Sequence, residues 1–229
     1  MEARIFINFL QLVAFICAIY YYRKHTYKQS KWLALFLGVT FLVEVASYYT
    51  SFIENDGIFS FLANTPYSEN YWLYNIFMLV SAAFYVIYFR WNLTSKKSKV
   101  VLDVLLVSFA IGSILHQAFS GVFFVGYSPF TVILGTVLII LSIALFYLEL
   151  LNSNLILKVH KTLPFYISVA VLIFYLCTTP LFIYSIYFSE SINPDFYVLY
   201  LRVIISTNFI MYSIYIAGFL ICSRNKNPY

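Results

Sequence analysis

The chain has 229 residues, of which 62% are hydrophobic and only 10% are charged, against about 25% charged in soluble domains. Polar groups could not cover such a surface in water, so this composition excludes a soluble domain and predicts a protein surrounded by a lipid bilayer. The net charge of +5 does not indicate nucleic-acid binding, because the basic residues form short runs between apolar stretches, as they do beside membrane spans.

Apolar segments along the chain predict the fold class. About 20 apolar residues cross a hydrocarbon core about 30 Å thick, and seven segments reach that length. We therefore predict an all-α, polytopic bundle of seven transmembrane helices that forms a single domain over residues 1–229. The predicted spans are residues 4–22, 32–53, 71–90, 100–119, 130–151, 163–188 and 197–222.

Basic residues predict the direction of insertion. Twelve Lys and Arg residues lie in the first, third and fifth connections and in the C-terminal tail, whereas only Arg4 and Arg202 lie towards the other side. Because basic residues are retained on the cytoplasmic side, the N-terminus is predicted to be outside and the C-terminus inside. The two ends of the bundle are named outer and inner on this basis.

Two charged residues lie well inside predicted spans, where each costs about 2.5–3.5 kcal/mol on insertion scales. Glu44 in the second span lies 13 residues after Lys31, or roughly 20 Å from the inner surface. Arg202 lies five residues into the seventh span, or roughly 8 Å from the outer surface. These depths are similar, so one interpretation is an ion pair between the second and seventh helices. We predict that Glu44→Gln and Arg202→Ala each abolish activity.

Other polar side chains reach the same outer half of the bundle, whereas the inner half is almost uniformly apolar. Gln11 lies in the first span, Asn75 in the third, and His116 with Gln117 in the fourth, while Asn208 in the seventh lies nearer the midplane. These groups either line a cavity that opens outward or form a packed polar network. The predicted binding residues are Gln11, Glu44, Asn75, His116, Arg202 and Asn208.

A proline interrupts the sixth span two turns before its predicted outer end. Pro180 frees the carbonyl one turn back, and the hydroxyls of Thr178 and Thr179 are close enough in sequence to satisfy it. We predict a kink at Pro180 that serves either as a hinge or as a static bend.

No residue pattern predicts a catalytic, metal or cofactor site. A retinal protein needs a Schiff-base lysine in the last helix, and the predicted seventh span contains none. A zinc site needs several ligands at one depth, but His25 and His160 lie in inner connections and His116 lies near the outer face. The three cysteines are odd in number and lack metal-ligand spacing, so we interpret them as packing residues.

The spans also carry a resemblance to a known class of membrane protein. Its residues are Glu44 late in the second span, Tyr74-Asn75 opening the third, the run at 163–168 opening the sixth, and Asn208 in the last helix. With these features nearly the whole chain resembles small seven-helix proteins of bacteroidetes, and the similar membrane regions that precede some of their sensor histidine kinases. No kinase follows the spans in this sequence, so the resemblance implies a sensing or scaffold module in the inner membrane of a bacterium.

Three functions are compatible with these observations. The first is a sensory or ligand-binding module that acts through a separate signalling partner on its basic inner connections. The second is a small-solute transporter, since SWEET-type sugar carriers have a similar length and seven helices in a three-plus-one-plus-three repeat. Against it, the sequence shows no repeat, and the inner half lacks the polar residues of a complete path. The third is an enzyme that modifies lipids with Glu44 or His116 as base. Sequence patterns leave the ligand, the partner and the oligomeric state open.

Overall fold

A computed structural model describes residues 2–54, 58–184 and 194–224, and within these ranges every regular element is helical. Short 3₁₀ helices occur at Ser60–Leu62, Val122–Phe124 and Asn154–Lys161. The α-helices are α1 (Glu2–His25), α2 (Lys28–Ala46), α3 (Tyr49–Glu54), α4 (Tyr71–Trp91), α5 (Lys96–Phe119), α6 (Pro129–Leu151), α7 (Leu163–Ile183) and α8 (Pro194–Ser223).

Seven helical segments in the described ranges are long and apolar enough to cross a membrane. This confirms the predicted all-α bundle of seven transmembrane helices. The second segment, Lys28–Ile53, combines α2 with most of the short α3. The predicted end of the sixth span at residue 188 lies outside the described residues, and the direction of insertion stays a prediction from the charge pattern.

Six of the spanning helices form a closed ring in the order α1, α2, α4, α6, α7 and α8, with α8 packed back against α1. The remaining spanning helix, α5, lies outside this ring and packs on α4 and α6. Its outer face consists of apolar side chains that are more than half exposed, among them Val100, Val104, Val107 and Ile111. Such a face suits contact with lipid, and α5 supports the wall of the ring without contributing to its lining.

The inner half of the ring is filled by apolar side chains. Tyr21 of α1 packs against Phe219 of α8, and Phe89 of α4 packs against Phe146 of α6, with ring centroids 5.9 Å apart in both pairs. The fully or almost fully buried side chains of this half include Leu33, Val86, Ile143, Ile167 and Val171. This core closes the ring at its inner end.

Small residues allow the closest helix contacts. A methyl group added at Gly218 of α8 would lie 2.7 Å from Cβ of Tyr166 on α7, so only glycine permits this approach. A methyl group added at Gly135 of α6 would lie 3.1 Å from Cβ of Ala82 on α4. Such packing of small residues stabilises helix pairs in membranes, where burial of apolar area from water is not available.

Two acidic residues near the inner boundary hold the connection between α4 and α5. Asp103 of α5 forms an ion pair with Arg90 of α4, and Nη2 of Arg90 donates a hydrogen bond of 2.6 Å to Oδ2. Glu149 of α6 accepts hydrogen bonds from the backbone amides of Thr94 and Ser95 at 2.5 and 3.1 Å. Both carboxylates therefore have structural partners.

Candidate functional site: a cavity in the outer half of the ring

The ring encloses a cavity of about 660 Å³ in its outer half. All six helices of the ring contribute lining residues, and α5 contributes none. On α8 the lining extends from Tyr197 to Tyr212, which is roughly 22 Å along the helix axis. This volume falls within the range of about 300–1,000 Å³ that is usual for small-molecule sites.

The floor of the cavity contains buried hydroxyl and amide groups. Nε2 of Gln11 donates a hydrogen bond of 3.0 Å to the hydroxyl of Tyr212. The hydroxyl of Tyr175 lies 3.1 Å from Oγ of Ser81, and the hydroxyl of Tyr85 lies 2.9 Å from that of Tyr215 behind the wall. These pairs join α1 to α8, α7 to α4, and α4 to α8, so the floor ties four helices together.

Gln11 provides an unused polar atom at this floor. Its side chain is only 2% exposed, and its Oε1 has no hydrogen-bond partner among the described residues. If the side-chain amide were rotated by half a turn, Oε1 would bond to the Tyr212 hydroxyl and Nε2 would lack a partner instead. A buried polar atom without a partner costs about 1–3 kcal/mol, so a bound molecule with a matching group would recover that cost.

A carboxylate and a guanidinium face the outer part of the cavity. The hydroxyl of Tyr74 on α4 donates a hydrogen bond of 3.0 Å to Oε2 of Glu44 on α2. No described residue donates to Oε1 of the same carboxylate. Arg4 of α1 is exposed at the rim, interacts electrostatically with Glu44, and has Cζ 5.7 Å from the ring centroid of Tyr48.

Aromatic rings surround this carboxylate. Tyr127, in the connection before α6, has its ring centroid 6.3 Å from that of Tyr74 and 5.2 Å from that of Phe182 on α7. All three rings line the cavity, together with Tyr200 of α8. Loss of solvation raises the pKa of Tyr127 well above its usual range, so its hydroxyl stays neutral.

The chain path next to Glu44 differs from the single continuous second span predicted from sequence. α2 ends at Ala46, and a turn at Ser47 and Tyr48 separates it from α3. Oγ of Ser47 donates a hydrogen bond of 2.8 Å to the carbonyl of Glu44. The same kind of bond occurs inside α4 and α6 without a break, so it accompanies the turn and does not by itself cause it.

Of the six binding residues predicted from sequence, Gln11, Glu44 and Asn208 line the cavity. Asn208 of α8 is half-buried, and its Nδ2 donates a hydrogen bond of 2.8 Å to the carbonyl of Ile204 in its own helix. The other three predicted residues do not line the cavity.

Asn75 fastens the connection between α5 and α6. Its side chain is fully buried, and Nδ2 donates hydrogen bonds of 3.0 and 2.8 Å to the carbonyls of Phe123 and Gly126. Its Oδ1 accepts a hydrogen bond of 2.9 Å from the amide of Ser128. These three bonds use most of the donors and acceptors of the side-chain amide. Asn75 therefore has a structural role in this connection.

His116 of α5 contacts the same connection, at Ser128. Its Nδ1 lies 3.1 Å from Oγ of Ser128, and its ring stacks on that of Phe130 at a centroid distance of 5.1 Å. Oγ of Ser128 also accepts a hydrogen bond from the amide of Thr131, which caps the N-terminus of α6. The position of α5 outside the ring explains why His116 does not reach the cavity.

Arg202 lies on the exposed surface of α8, and the structure describes no ion pair between it and Glu44. The interpretation that these two residues pin α2 to α8 is therefore wrong. A similar depth does not bring the two residues together, because the rotation of α8 about its axis directs Arg202 away from the ring. The cation near Glu44 is Arg4.

The helix that contains Pro180 continues past it to Ile183. Pro180 is exposed on the outside of the ring, whereas Thr178 and Thr179 before it line the cavity. Oγ1 of Thr178 donates a hydrogen bond of 2.8 Å to the carbonyl of Phe174, and Oγ1 of Thr179 lies 2.7 Å from that of Thr136 on α6. A hinge function for Pro180 stays a prediction.

Helical spacing indicates several lining residues beyond those predicted from sequence. Arg4 and Asn8 lie seven and three residues before the predicted Gln11 and therefore share its face of α1. Tyr200 and Ile204 lie eight and four residues before the predicted Asn208 and share its face of α8. Tyrosine also concentrates at membrane interfaces, so its presence near a helix end does not by itself indicate a cavity.

Within the described ranges, no three metal-ligating side chains lie close enough to hold an ion. Comparison with protein-family models, curated proteins and solved structures finds no match for the chain. The resemblance to the membrane regions of sensor kinases therefore stays a prediction from the residues quoted above.

Proposed function

We propose that this membrane protein is a receptor module that binds a small molecule in the outer cavity and acts through a separate partner on the inner side. The observation that carries this proposal is a cavity with polar groups at its floor and rim, closed towards the inner side by a packed apolar core. A site that is open at one end suits binding and release from the same side.

The arrangement of the lining supports transmission through the helices. A molecule in this cavity would contact all six helices of the ring at once. A ligand shifts a conformational equilibrium only by its difference in affinity for the two states, and contacts to several helices make such a difference large. Inner ends of the same helices carry basic residues, among them Arg23, Lys24 and Lys28, which would face an acidic surface of a partner.

Thiol accessibility tests the proposal. Asn208→Cys is made in a background in which Cys17, Cys177 and Cys222 are replaced, and a charged, membrane-impermeant thiol reagent is applied to sealed vesicles of either orientation. We expect modification from the outer side only. Lys97→Cys is the matched control and should react from the inner side only. Reaction of Asn208→Cys from both sides would instead show alternating access.

A small-solute transporter is the second candidate, and the division of the ring favours it. Three helices of the ring, α1, α2 and α4, precede α5 in sequence, and the other three, α6, α7 and α8, follow it. The two sets meet at the α4–α6 and α8–α1 contacts. A two-fold axis parallel to the membrane normal would relate these two contacts, as in transporters that are built from parallel repeats. Reaction of Asn208→Cys from both sides would favour this candidate over the receptor.

A further inference from the structure

We infer that the cavity binds a small organic cation, an amine with an apolar body, with its ammonium group at Glu44. This inference rests on the proposed function of the cavity as a ligand site.

The charges in the lining favour a cationic ligand. Among the described residues that line the cavity, Glu44 is the only acid and Arg4 the only base. Glu44 accepts one hydrogen bond, from Tyr74 to Oε2, and forms no ion pair with Arg4. A carboxylate in a membrane span is costly unless a cation compensates it, and the free Oε1 is where a ligand ammonium would bind.

The aromatic rings around Glu44 also favour an ammonium group as ligand. Tyr74, Tyr127 and Phe182 line the same part of the cavity, with centroids of neighbouring rings 5.2–6.3 Å apart. Aromatic faces attract ammonium groups, and a cluster of rings beside one carboxylate is typical of sites for amines. A metal ion would need several oxygen ligands, and Glu44 is the only carboxylate among the described residues that line the cavity.

The lower part of the cavity indicates an apolar body. Phe36, Leu37, Ile204 and Met211 contribute apolar side chains to the lining, and the surface of the cavity as a whole is mainly apolar. Gln11 lies seven residues after Arg4, roughly 10 Å deeper along α1. The unpaired Oε1 of Gln11 would accept a hydrogen bond from a donor at the far end of a natural ligand.

Arg4 argues against an anionic ligand. It is exposed at the rim, where its guanidinium lies over the ring of Tyr48, a residue that does not line the cavity. Arg4 partly compensates the charge of Glu44 electrostatically. A ligand ammonium would take over this role, so Arg4 competes with the cation and removing its charge should strengthen binding.

Matched probes test the inference with the full-length protein in phosphatidylcholine nanodiscs, measured by isothermal titration calorimetry. The probes are 3-phenylpropylamine, the neutral 3-phenylpropan-1-ol and the anionic 3-phenylpropanoate, and empty nanodiscs correct for partitioning into lipid. We expect the amine to bind about tenfold or more tightly than the alcohol, as a charge-assisted contact implies.

Three variants locate the charge. Glu44→Gln keeps an acceptor for Tyr74 and should weaken amine binding about tenfold or more, without changing alcohol binding. Arg4→Gln should strengthen amine binding, and Arg202→Gln should leave it unchanged. The sign of the Arg4→Gln effect tests the inference even if Glu44→Gln fails to fold.

Equal binding of amine and alcohol, or unchanged amine binding by folded Glu44→Gln, would overturn the inference while leaving a ligand site in place. If 3-phenylpropanoate bound most tightly and Arg4→Gln abolished this preference, the ligand of the cavity would be an anion and not a cation. Absence of binding by all three probes would also reject the amine class. The receptor proposal would then be decided separately by the thiol accessibility of Asn208→Cys.

Discussion

Gln11 on α1 and Tyr212 on α8 are 201 positions apart in sequence, yet Nε2 of Gln11 donates a hydrogen bond of 3.0 Å to the Tyr212 hydroxyl. The bond joins the first and last spanning helices and closes the ring at the cavity floor. Both side chains are almost fully buried, at 2% exposure each. Loss of this bond therefore leaves buried polar groups without a partner in the protein.

Tyr212→Phe should lower the stability of the ring. Removing the hydroxyl leaves both polar atoms of Gln11 without a partner, which costs about 1–3 kcal/mol. The expected result is a lower melting temperature of the purified protein. Tyr20→Phe is the control, because Tyr20 is more than half exposed on the same protein. Equal melting temperatures for the two variants would contradict a structural role for the bond.

Asn75→Ala should destabilise the protein more strongly. It removes three hydrogen bonds to the connection between α5 and α6 and leaves two carbonyls and one amide without a partner. A loss of about 3 kcal/mol or more is expected from this number of bonds. Asn208→Ala, which removes one bond within α8, should cost much less. Unfolding in denaturing detergent, compared between the two variants, measures the difference.

Gly218→Ala and Gly112→Ala should change stability by different amounts. The new methyl at Gly218 would lie 2.7 Å from Cβ of Tyr166, which cannot move without its backbone, so a loss of about 1–3 kcal/mol is expected. At Gly112 the nearest atoms are at the far edge of the Phe130 ring, 3.3 Å away. That ring can shift, so the gain in helix propensity of about 1 kcal/mol should offset the contact. Similar melting temperatures would argue against the close approach of α7 and α8.

Arg202→Gln should have little effect on stability or on binding in the cavity. Arg202 is exposed on α8 and does not line the cavity, and a long side chain near the outer surface reaches the interface. A change within about 0.5 kcal/mol is expected, as for surface substitutions in general. Loss of cavity binding in this variant would restore the functional role predicted from sequence. Melting curves together with the amine titration provide the measurement.

The C-terminus should lie on the cytoplasmic side. A fluorescent protein fused after Tyr229 should fluoresce, whereas alkaline phosphatase at the same position should be inactive, because the phosphatase is active only outside. The physical reason is the excess of basic residues in the connections on one side. An active phosphatase fusion would reverse the outer and inner assignments, and the cavity would then open to the cytoplasm.

The number of spans could be predicted because it depends on local properties. A helix needs about 20 apolar residues to cross the bilayer, and α6, for example, meets this condition whatever its neighbours are. The break after Ala46 could not be predicted in this way, because the turn at Ser47 and Tyr48 lies within a segment that is long and apolar enough to be one span.

Depth in the membrane also follows from sequence, since each residue adds about 1.5 Å along a helix, and it placed Gln11, Glu44, Asn75 and Arg202 in one half of the bundle. Which of them share a cavity depends on the rotation of each helix about its axis, and packing sets that rotation. Gln11 and Glu44 face the centre of the ring, Asn75 holds a connection, and Arg202 points outward. A hydropathy profile does not show which way a side chain points, because it averages over all sides of a helix.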